Sequence, residues 1–218
     1  MNLHLLICIA YFICLGALCT WGVHRLVLLH WLRHPAPPID PLQQNKPTVL
    51  VQLPVYNEAA VIERLIDAVA HLDWPNLRIQ VLDDSTDETS SLAATRIAAW
   101  VSQGVQIRHI QRQVRTGYKA GALAEGLACD PSDFIAIFDA DFVPPADFLK
   151  QMMVSFASPN IGMVQARWGH LNRDQSWLSR IQSMMLDGHF LIEHAARYRT
   201  GRFFNFNGTA GIWRRRAI

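Results

Sequence analysis

The chain has 218 residues, enough for the core of one ordinary domain and an accessory segment. Half of its residues are hydrophobic and its formal net charge is only +2, which excludes a disordered chain and gives no case for a nucleic-acid partner. The four cysteines form no disulfide pattern, which indicates a reducing compartment.

The first predicted element is a membrane-spanning helix over Leu3–Val23. This run holds no charged residue, and a helix of its length reaches about 30 Å, the thickness of a bilayer's hydrocarbon core. A cleaved signal peptide is the competing interpretation, but no Lys or Arg precedes the run and the run is too long. Positive charge follows it at Arg25, Arg33 and Lys46, so we expect residues 1–32 to anchor a cytoplasmic domain in the cell membrane.

A Pro-rich linker is predicted over residues 33–47, and strands then alternate with helices in a domain over residues 48–218. The predicted strands are Thr48–Val55, Arg78–Asp84, Val105–Gln111 and Asp133–Ala140. The predicted helices between them are Glu58–Leu72, Thr89–Val101 and Tyr118–Ala128. This alternation predicts an α/β fold with a mostly parallel sheet, in which ligands bind beyond the C-terminal strand ends.

Three of these strands deliver polar clusters to that edge of the sheet, in the segments "PVYNE", "DDSTDET" and "DAD". In the second cluster, a carboxylate such as Asp84 suits a ring N–H of a base or a ribose hydroxyl. Capping of the following helix is the alternative, and it applies best to Asp87.

The third cluster holds Asp139 and Asp141, which are two residues apart. On an extended chain both side chains leave the same face, and two adjacent carboxylates repel unless a cation lies near them. Oxygen ligands select hard cations, so the pair predicts an Mg²⁺ or Mn²⁺ site shared with substrate phosphates. A solvated acidic loop is the alternative.

Two cations, Arg115 and Lys119, flank Gly117 in a segment that leads into a predicted helix. A glycine-containing loop at a helix N-terminus with two basic side chains suits a diphosphate group. The alternative for Lys119 is an ordinary solvated helix residue. With the acidic pair, these residues predict a nucleotide-diphosphate site that uses a divalent cation.

Five ordered segments carry a family resemblance: "LPVYNE", "VLDDSTDET", "RTGYKAGAL", "FDADFVPP" and "NFNGTAGIWRRRAI". Over about residues 46–218 the chain resembles glycosyltransferase family 2. Within it, the chain is most similar to the processive, membrane-bound branch of cellulose synthase-like and glucomannan (mannan) synthase-like enzymes. The resemblance implies a GT-A fold, a Mg²⁺ or Mn²⁺ requirement and inverting transfer from UDP-glucose or GDP-mannose to a growing glycan or lipid-linked acceptor.

The resemblance also assigns residues to the donor side. Those that would hold the nucleotide sugar are, in chain order, Pro54, Tyr56, Glu58, Asp83, Asp84, Arg115, Lys119 and Asp139. The first three would border the nucleoside. The second-strand pair would contact the base and support the strand end, and the two basic residues would reach the diphosphate.

The D-x-D pair Asp139 and Asp141 would be the catalytic metal ligands, with Asp141 the more direct one. The acceptor-side residues implied by the resemblance are Gln165, Asn207, Gly208 and Thr209.

Two family motifs are not found in the sequence: the T-E-D motif, whose Asp is the catalytic base, and Q-x-x-R-W, which helps hold the acceptor. The resemblance therefore implies the front portion of a longer enzyme, with the base beyond Ile218 and little transferase activity in this chain alone. The alternatives are transfer of a single sugar to a lipid or other acceptor, and a membrane-tethered donor-binding module without catalysis.

A further long helix is predicted over Asp174–Tyr198, with apolar residues that include Trp177, Ile181 and Met184. A core or interdomain helix is one interpretation, and an interfacial helix lying on the membrane is the other.

Overall fold

The computed structural model describes residues 2–38 and 46–218. The described chain divides into two compact units. Residues 2–38 and 168–205 form the helical unit, and residues 46–167 and 206–218 form the sheet unit. The predicted linker over residues 33–47 falls partly on residues 39–45, which lie outside the described residues.

The sheet unit is built on one six-stranded sheet. Its strands are β1 (Val49–Val55), β2 (Leu77–Asp83), β3 (Ile107–Gln111), β4 (Phe134–Ile137), β5 (Met163–Gln165) and β6 (Gly211–Arg214). Its helices are α2 (Ile62–Ala70), α3 (Thr89–Val101), α4 (Tyr118–Ala128) and α5 (Phe148–Met153). The strand order is β3-β2-β1-β4-β6-β5. The first four strands pair in parallel, while β6 pairs antiparallel with both β4 and β5.

The sequence predicted the four parallel strands and missed β5 and β6. The bounds of α3 and α4 agree with the prediction, but α2 begins four residues later than expected, at Ile62. Just before it, Asn57 has a positive φ of 55°, and the backbone N–H groups of Val61 and Ile62 both bond to the carbonyl of Glu58. The segment after β1 is therefore a turn, which holds the polar side chains of "PVYNE" at the sheet edge.

A buried amide pair fixes α4 against the sheet. Gln52 on β1 donates to Gln80 Oε1 on β2 at 3.1 Å and to the carbonyl of Leu123, while Gln80 donates to the carbonyl of Gly126 at 3.0 Å. Both glutamines are 1% exposed, so these bonds compensate the cost of burying their amides. Gly126 allows this approach, since a Cβ there would lie 2.6 Å from Gln80 Oε1.

The helical unit begins with α1 (Leu3–Trp31), which extends past the predicted span. Among the described residues it is the one helix long and apolar enough to cross a membrane by length and composition. Its C-terminal part packs against a π-helical segment, Gly188–His194, and against α7 (Ala195–Arg199). Leu28 is buried there, in the part of the helix beyond the predicted end.

The predicted helix over Asp174–Tyr198 is three consecutive pieces. It begins as α6 (Trp177–Asp187), where Ser176 Oγ accepts the N–H of Ser179, and continues through the π-helical segment into α7. The buried residues of α6 are Ser179 and Ser183, whereas Trp177 is 80% exposed. The exposed apolar residues of α6 do not fit a core helix, whereas Phe190, His194 and Ala196 in the later pieces are buried. The core or interdomain interpretation and the membrane-surface interpretation both stay predictions.

Candidate active site

A cleft of about 430 Å³ opens at the C-terminal ends of β1, β2 and β4. Eight of the predicted donor-side and metal residues line it: Pro54, Tyr56, Glu58, Asp84, Arg115, Lys119, Asp139 and Asp141. They come from three strand ends and from the segment entering α4, as expected for a parallel sheet whose ligands bind at this edge. The cleft thus gathers four carboxylates of the predicted site and both of its predicted cations.

The "FDADFVPP" segment forms a turn at this edge. The strand ends at Ile137, three residues earlier than predicted, so Asp139 and Asp141 do not leave one face of an extended strand as expected. The N–H of Phe142 bonds back to the carbonyl of Asp139 at 3.0 Å. Phe138 is fully buried and holds the turn from below by stacking on Phe142.

Asp139 is held from two directions. Its N–H donates to Thr209 Oγ1 at 2.9 Å, and its carboxylate accepts from Lys119. The same ammonium donates to the carbonyl of Gly208 at 2.9 Å. Lys119 therefore neutralises Asp139, whereas Asp141 is exposed at the mouth of the turn.

The D-x-D turn offers a divalent cation few protein ligands. Among the described residues no group of three or more His, Cys, Asp or Glu side chains could hold a metal ion, so the D-x-D turn offers two carboxylates. Mg²⁺ is usually bound by one or two carboxylates together with substrate phosphates and water, rather than by an all-protein cage. The turn fits a cation of that kind, which a bound diphosphate would help to coordinate.

Asp84 forms a buried ion pair that the sequence did not predict. Arg112 donates Nε to Asp84 Oδ1 at 2.7 Å and Nη2 to Asp84 Oδ2 at 2.5 Å, and both side chains are at most 6% exposed. The hydrogen bonds that Arg112 donates to Asp84 raise the pKa of its guanidinium. The sequence did contain a feature that could have predicted this pair. Arg112 directly follows β3, whose C-terminal end lies at the same sheet edge as Asp84.

Asp83 was predicted to support the strand end, and its carboxylate does not line the cleft. It accepts from His109 Nε2 and from the N–H of Ser85, both at 2.9 Å. Burial by itself raises the pKa of Asp83, but hydrogen bonds from His109, Ser90 and Ser85 outweigh it and hold the pKa well below its usual value. Asp83 is thus a buried anion that ties β2 to β3.

Arg115 stacks on aromatic rings at the cleft. Its guanidinium carbon lies 3.4 Å from the ring centroid of Tyr56 and 5.2 Å from that of Tyr118. Its buried Nε, which is 3.7 Å from Asp84 Oδ2, has no hydrogen-bond partner among the described residues. This stacking holds a cation over the cleft without using its hydrogen-bond donors.

The predicted acceptor-side residues lie together as well. Gln165 accepts the N–H of Asn207 at 3.1 Å and donates to the carbonyls of Thr209 and Ala210 at 3.0 and 3.2 Å. Gly208 and Ala210 have positive φ angles of 86° and 53°, so the segment is a tight turn. The side-chain amide of Gln165 thus joins β5 to the turn that supports Asp139.

The capping alternative holds for Asp87. Its Oδ1 accepts the N–H of Thr89, the first residue of α3, at 3.0 Å, and it does not line the cleft.

The sheet order and the cleft are those of a GT-A-type α/β domain, as the sequence implied. A solved mannosyltransferase from Pyrobaculum calidifontis, in complex with GDP-Man and Mn²⁺, superposes with a TM-score of 0.67 at 23% identity. The match covers 89% of this chain and 52% of that one, and it shows the shared fold. The glycosyl transferase family 2 model matches residues 51–217, and the chain belongs to this family.

Curated relatives agree with this assignment. The chain is 48% identical over 181 residues to glucomannan 4-beta-mannosyltransferase 2 of Arabidopsis thaliana, which covers 80% of this chain and 34% of that protein. It is 45% identical over 186 residues to glucomannan 4-beta-mannosyltransferase 1 of Cyamopsis tetragonoloba, with 81% and 35% covered. The chain spans about a third of the length of these relatives.

Proposed function

We propose that the sheet unit binds a nucleotide-diphosphate sugar and takes part in metal-dependent, inverting transfer of its sugar to a growing β-linked glycan. The observation that carries this proposal is the convergence of Asp84, Arg115, Lys119, Asp139 and Asp141 on one cleft. Such a donor needs a carboxylate to bind its nucleobase, carboxylates to bind the metal ion, and cations to bind its diphosphate.

The cleft divides into two parts by chemistry. Asp84 and the ring of Tyr56 lie where a nucleoside would enter, with Pro54 and Glu58 at its border. A carboxylate oxygen accepts a ring N–H, and an aromatic side chain provides a face for the base. We assign these four residues to the nucleoside, and Asp83 to support of the strand end beneath them.

The second part would hold the diphosphate. Asp139 and Asp141 would bind Mg²⁺ or Mn²⁺, and when bound this cation would stabilise negative charge on the leaving diphosphate. Lys119 would move from Asp139 toward the phosphates, because the cation would replace its ammonium as the counter-charge. Arg115 would share the remaining charge.

The acceptor side is assigned to Gln165 and to the turn of Asn207, Gly208 and Thr209. This turn contacts Asp139 through Thr209 Oγ1 and Lys119 through the carbonyl of Gly208. An acceptor hydroxyl, on a glycan or a lipid-linked sugar, would approach the sugar from this side. The position of the turn would then respond to the state of the donor site.

The mannosyl donor, GDP-mannose, is the better supported of the two donors that the resemblance leaves open. The curated relatives are named glucomannan 4-beta-mannosyltransferases, which favours mannose as the transferred sugar. We further propose that α1 spans the cell membrane and that the sheet unit lies on its cytoplasmic face, because Arg25, Arg33 and Lys46 follow the apolar run.

The test is nucleotide binding to the detergent-solubilised chain. GDP and UDP are each titrated by calorimetry in the presence of Mn²⁺, and then again after EDTA is added. We expect GDP to bind more tightly than UDP and to be released by EDTA. A folded chain that binds neither nucleotide would overturn the proposal.

A matched pair of variants locates the metal. Asp141→Ala is expected to abolish the part of GDP binding that depends on Mn²⁺, because Asp141 is the more direct of the two proposed metal ligands. Asp147→Ala removes an exposed carboxylate outside the cleft and should bind as the wild type does. Equal Mn²⁺ dependence in both variants would remove the metal assignment.

A further inference from the structure

Arg112 makes several side-chain hydrogen bonds beside the cleft. Besides its two bonds to Asp84, it donates Nη1 to the carbonyl of Thr116 and Nη2 to the carbonyl of Tyr118, both at 3.0 Å. One guanidinium thus makes four hydrogen bonds and joins the end of β2 to the loop that enters α4.

That loop has a shape which its backbone does not favour. Gly117 and Tyr118 both have positive φ angles, 71° and 51°, and the second is unusual for a residue with a side chain. The bonds from Arg112 to the two loop carbonyls stabilise this conformation. Gly121 leaves the room for it, since a Cβ there would lie 2.9 Å from Arg112 Nη1.

The charges of the pair are balanced within the protein. Asp84 and Arg112 have side chains 4% and 6% exposed, so removal of either would leave a buried charge with little solvent. A bidentate guanidinium uses one acceptor position on each carboxylate oxygen and leaves the other. Asp84 lines the cleft, so its remaining acceptor positions are available to a ligand at an orientation that Arg112 fixes.

The loop held by Arg112 carries the diphosphate residues. Arg115 lies within it, between Arg112 and the two bonded carbonyls, and Lys119 follows it in the first turn of α4. A shift of the loop would therefore displace both cations together. Arg112 thus contacts both Asp84, the carboxylate proposed to bind the nucleobase, and the loop that carries the residues proposed to bind the diphosphate.

We infer that Arg112 is a positioning residue that couples recognition of the nucleobase by Asp84 to recognition of the diphosphate by Arg115 and Lys119. The inference rests on the proposed function, because it concerns the same donor site. Arg112 itself touches no part of the donor in this arrangement. Its effect passes through the orientation of one carboxylate and the shape of one loop.

The experiment uses the full detergent-solubilised chain with Arg112→Met and Arg112→Lys. Affinities for GDP, UDP and inorganic pyrophosphate are measured by calorimetry with Mn²⁺. Arg112→Met should weaken GDP binding about tenfold or more, because truncating one member of a buried ion pair is costly. The same variant should also bring the GDP and UDP affinities to within about twofold of each other, and it should weaken the binding of pyrophosphate. Arg112→Lys keeps the charge without the bidentate fork, so it should fall between the wild type and Arg112→Met.

The matched control is Arg96→Met. Arg96 makes an equally bidentate pair with Asp67, at 2.5 and 2.6 Å, in the same unit and outside the cleft. Because this pair has only a structural role, its loss in Arg96→Met should lower the melting temperature and leave the ratio of GDP to UDP affinity unchanged.

The outcomes separate the two proposals. A wild-type chain that binds no nucleotide overturns the proposed function, and the inference with it. The inference alone is overturned if the wild type discriminates between GDP and UDP and the Arg112 variants keep both its ratio of GDP to UDP affinity and its affinity for pyrophosphate. If Arg112→Met does not fold, the ratio of GDP to UDP affinity in Arg112→Lys tests the inference in its place.

Discussion

Gly121→Ala sets two physical effects of opposite sign against each other. Alanine is the better helix former by about 1 kcal/mol, so propensity alone predicts a more stable α4. A Cβ at Gly121 would lie 2.0 Å from the carbonyl oxygen of Thr116 and 2.9 Å from Arg112 Nη1. The loop would therefore have to retreat by about 1 Å, since carbon and oxygen atoms in contact need more than 3 Å.

The steric effect should win. Overpacking of this kind costs about 1–3 kcal/mol. Loss of the bond from Arg112 to the Thr116 carbonyl adds about 1.5–3 kcal/mol, because the donor is charged. After the helix propensity is subtracted, the free energy of unfolding should fall by roughly 1.5–5 kcal/mol.

The assay combines urea denaturation of the detergent-solubilised chain with GDP titration in Mn²⁺. We expect GDP affinity to fall about tenfold or more, because the displaced loop carries Arg115. Gly188→Ala is the matched control, since a Cβ at that helical position meets no heavy atom within 4 Å. A Gly121→Ala chain as stable as the wild type, with unchanged GDP affinity, would refute the packing argument.

Two further predictions concern residues beside the cleft. The pKa of Asp83 is lower in the folded chain than in the unfolded one, so its stabilising effect is complete near neutral pH. The effect begins to decline as the pH falls below about 4 and is lost only as the pH reaches the lower pKa of the folded carboxyl. Asp83→Asn should therefore lower stability at pH 7 by about 1–3 kcal/mol and flatten the acid limb, measured by urea unfolding from pH 7 to 3; an unchanged acid limb would contradict this. Gln165→Leu leaves the N–H of Asn207 and the carbonyl of Thr209 without their partner, and should cost about 2–4 kcal/mol. Gln165→Glu keeps the acceptor and should cost less. Equal losses of stability in the two variants, measured by urea unfolding, would contradict the role of the Gln165 amide in joining β5 to the turn.

Local patterns were sufficient for the four parallel strands and for α3 and α4. Each of these elements has its own apolar periodicity and its own turn residues, and neighbouring elements in sequence pack together. The family resemblance also pointed to most of the residues that line the cleft. The short strands β5 and β6 were missed, because three or four residues carry no periodic signal.

The sequence by itself determined the α/β class, the apolar N-terminal helix and the chemical types of the residues at the C-terminal edge of the sheet. Only the tertiary structure decided the partners of those residues. Asp84 meets Arg112 across 28 positions, and Asp139 meets Thr209 across 70. The charge and hydrogen-bonding capacity of a side chain follow from its residue type. Its partner, however, depends on which strand ends the fold brings together at the C-terminal edge of the sheet.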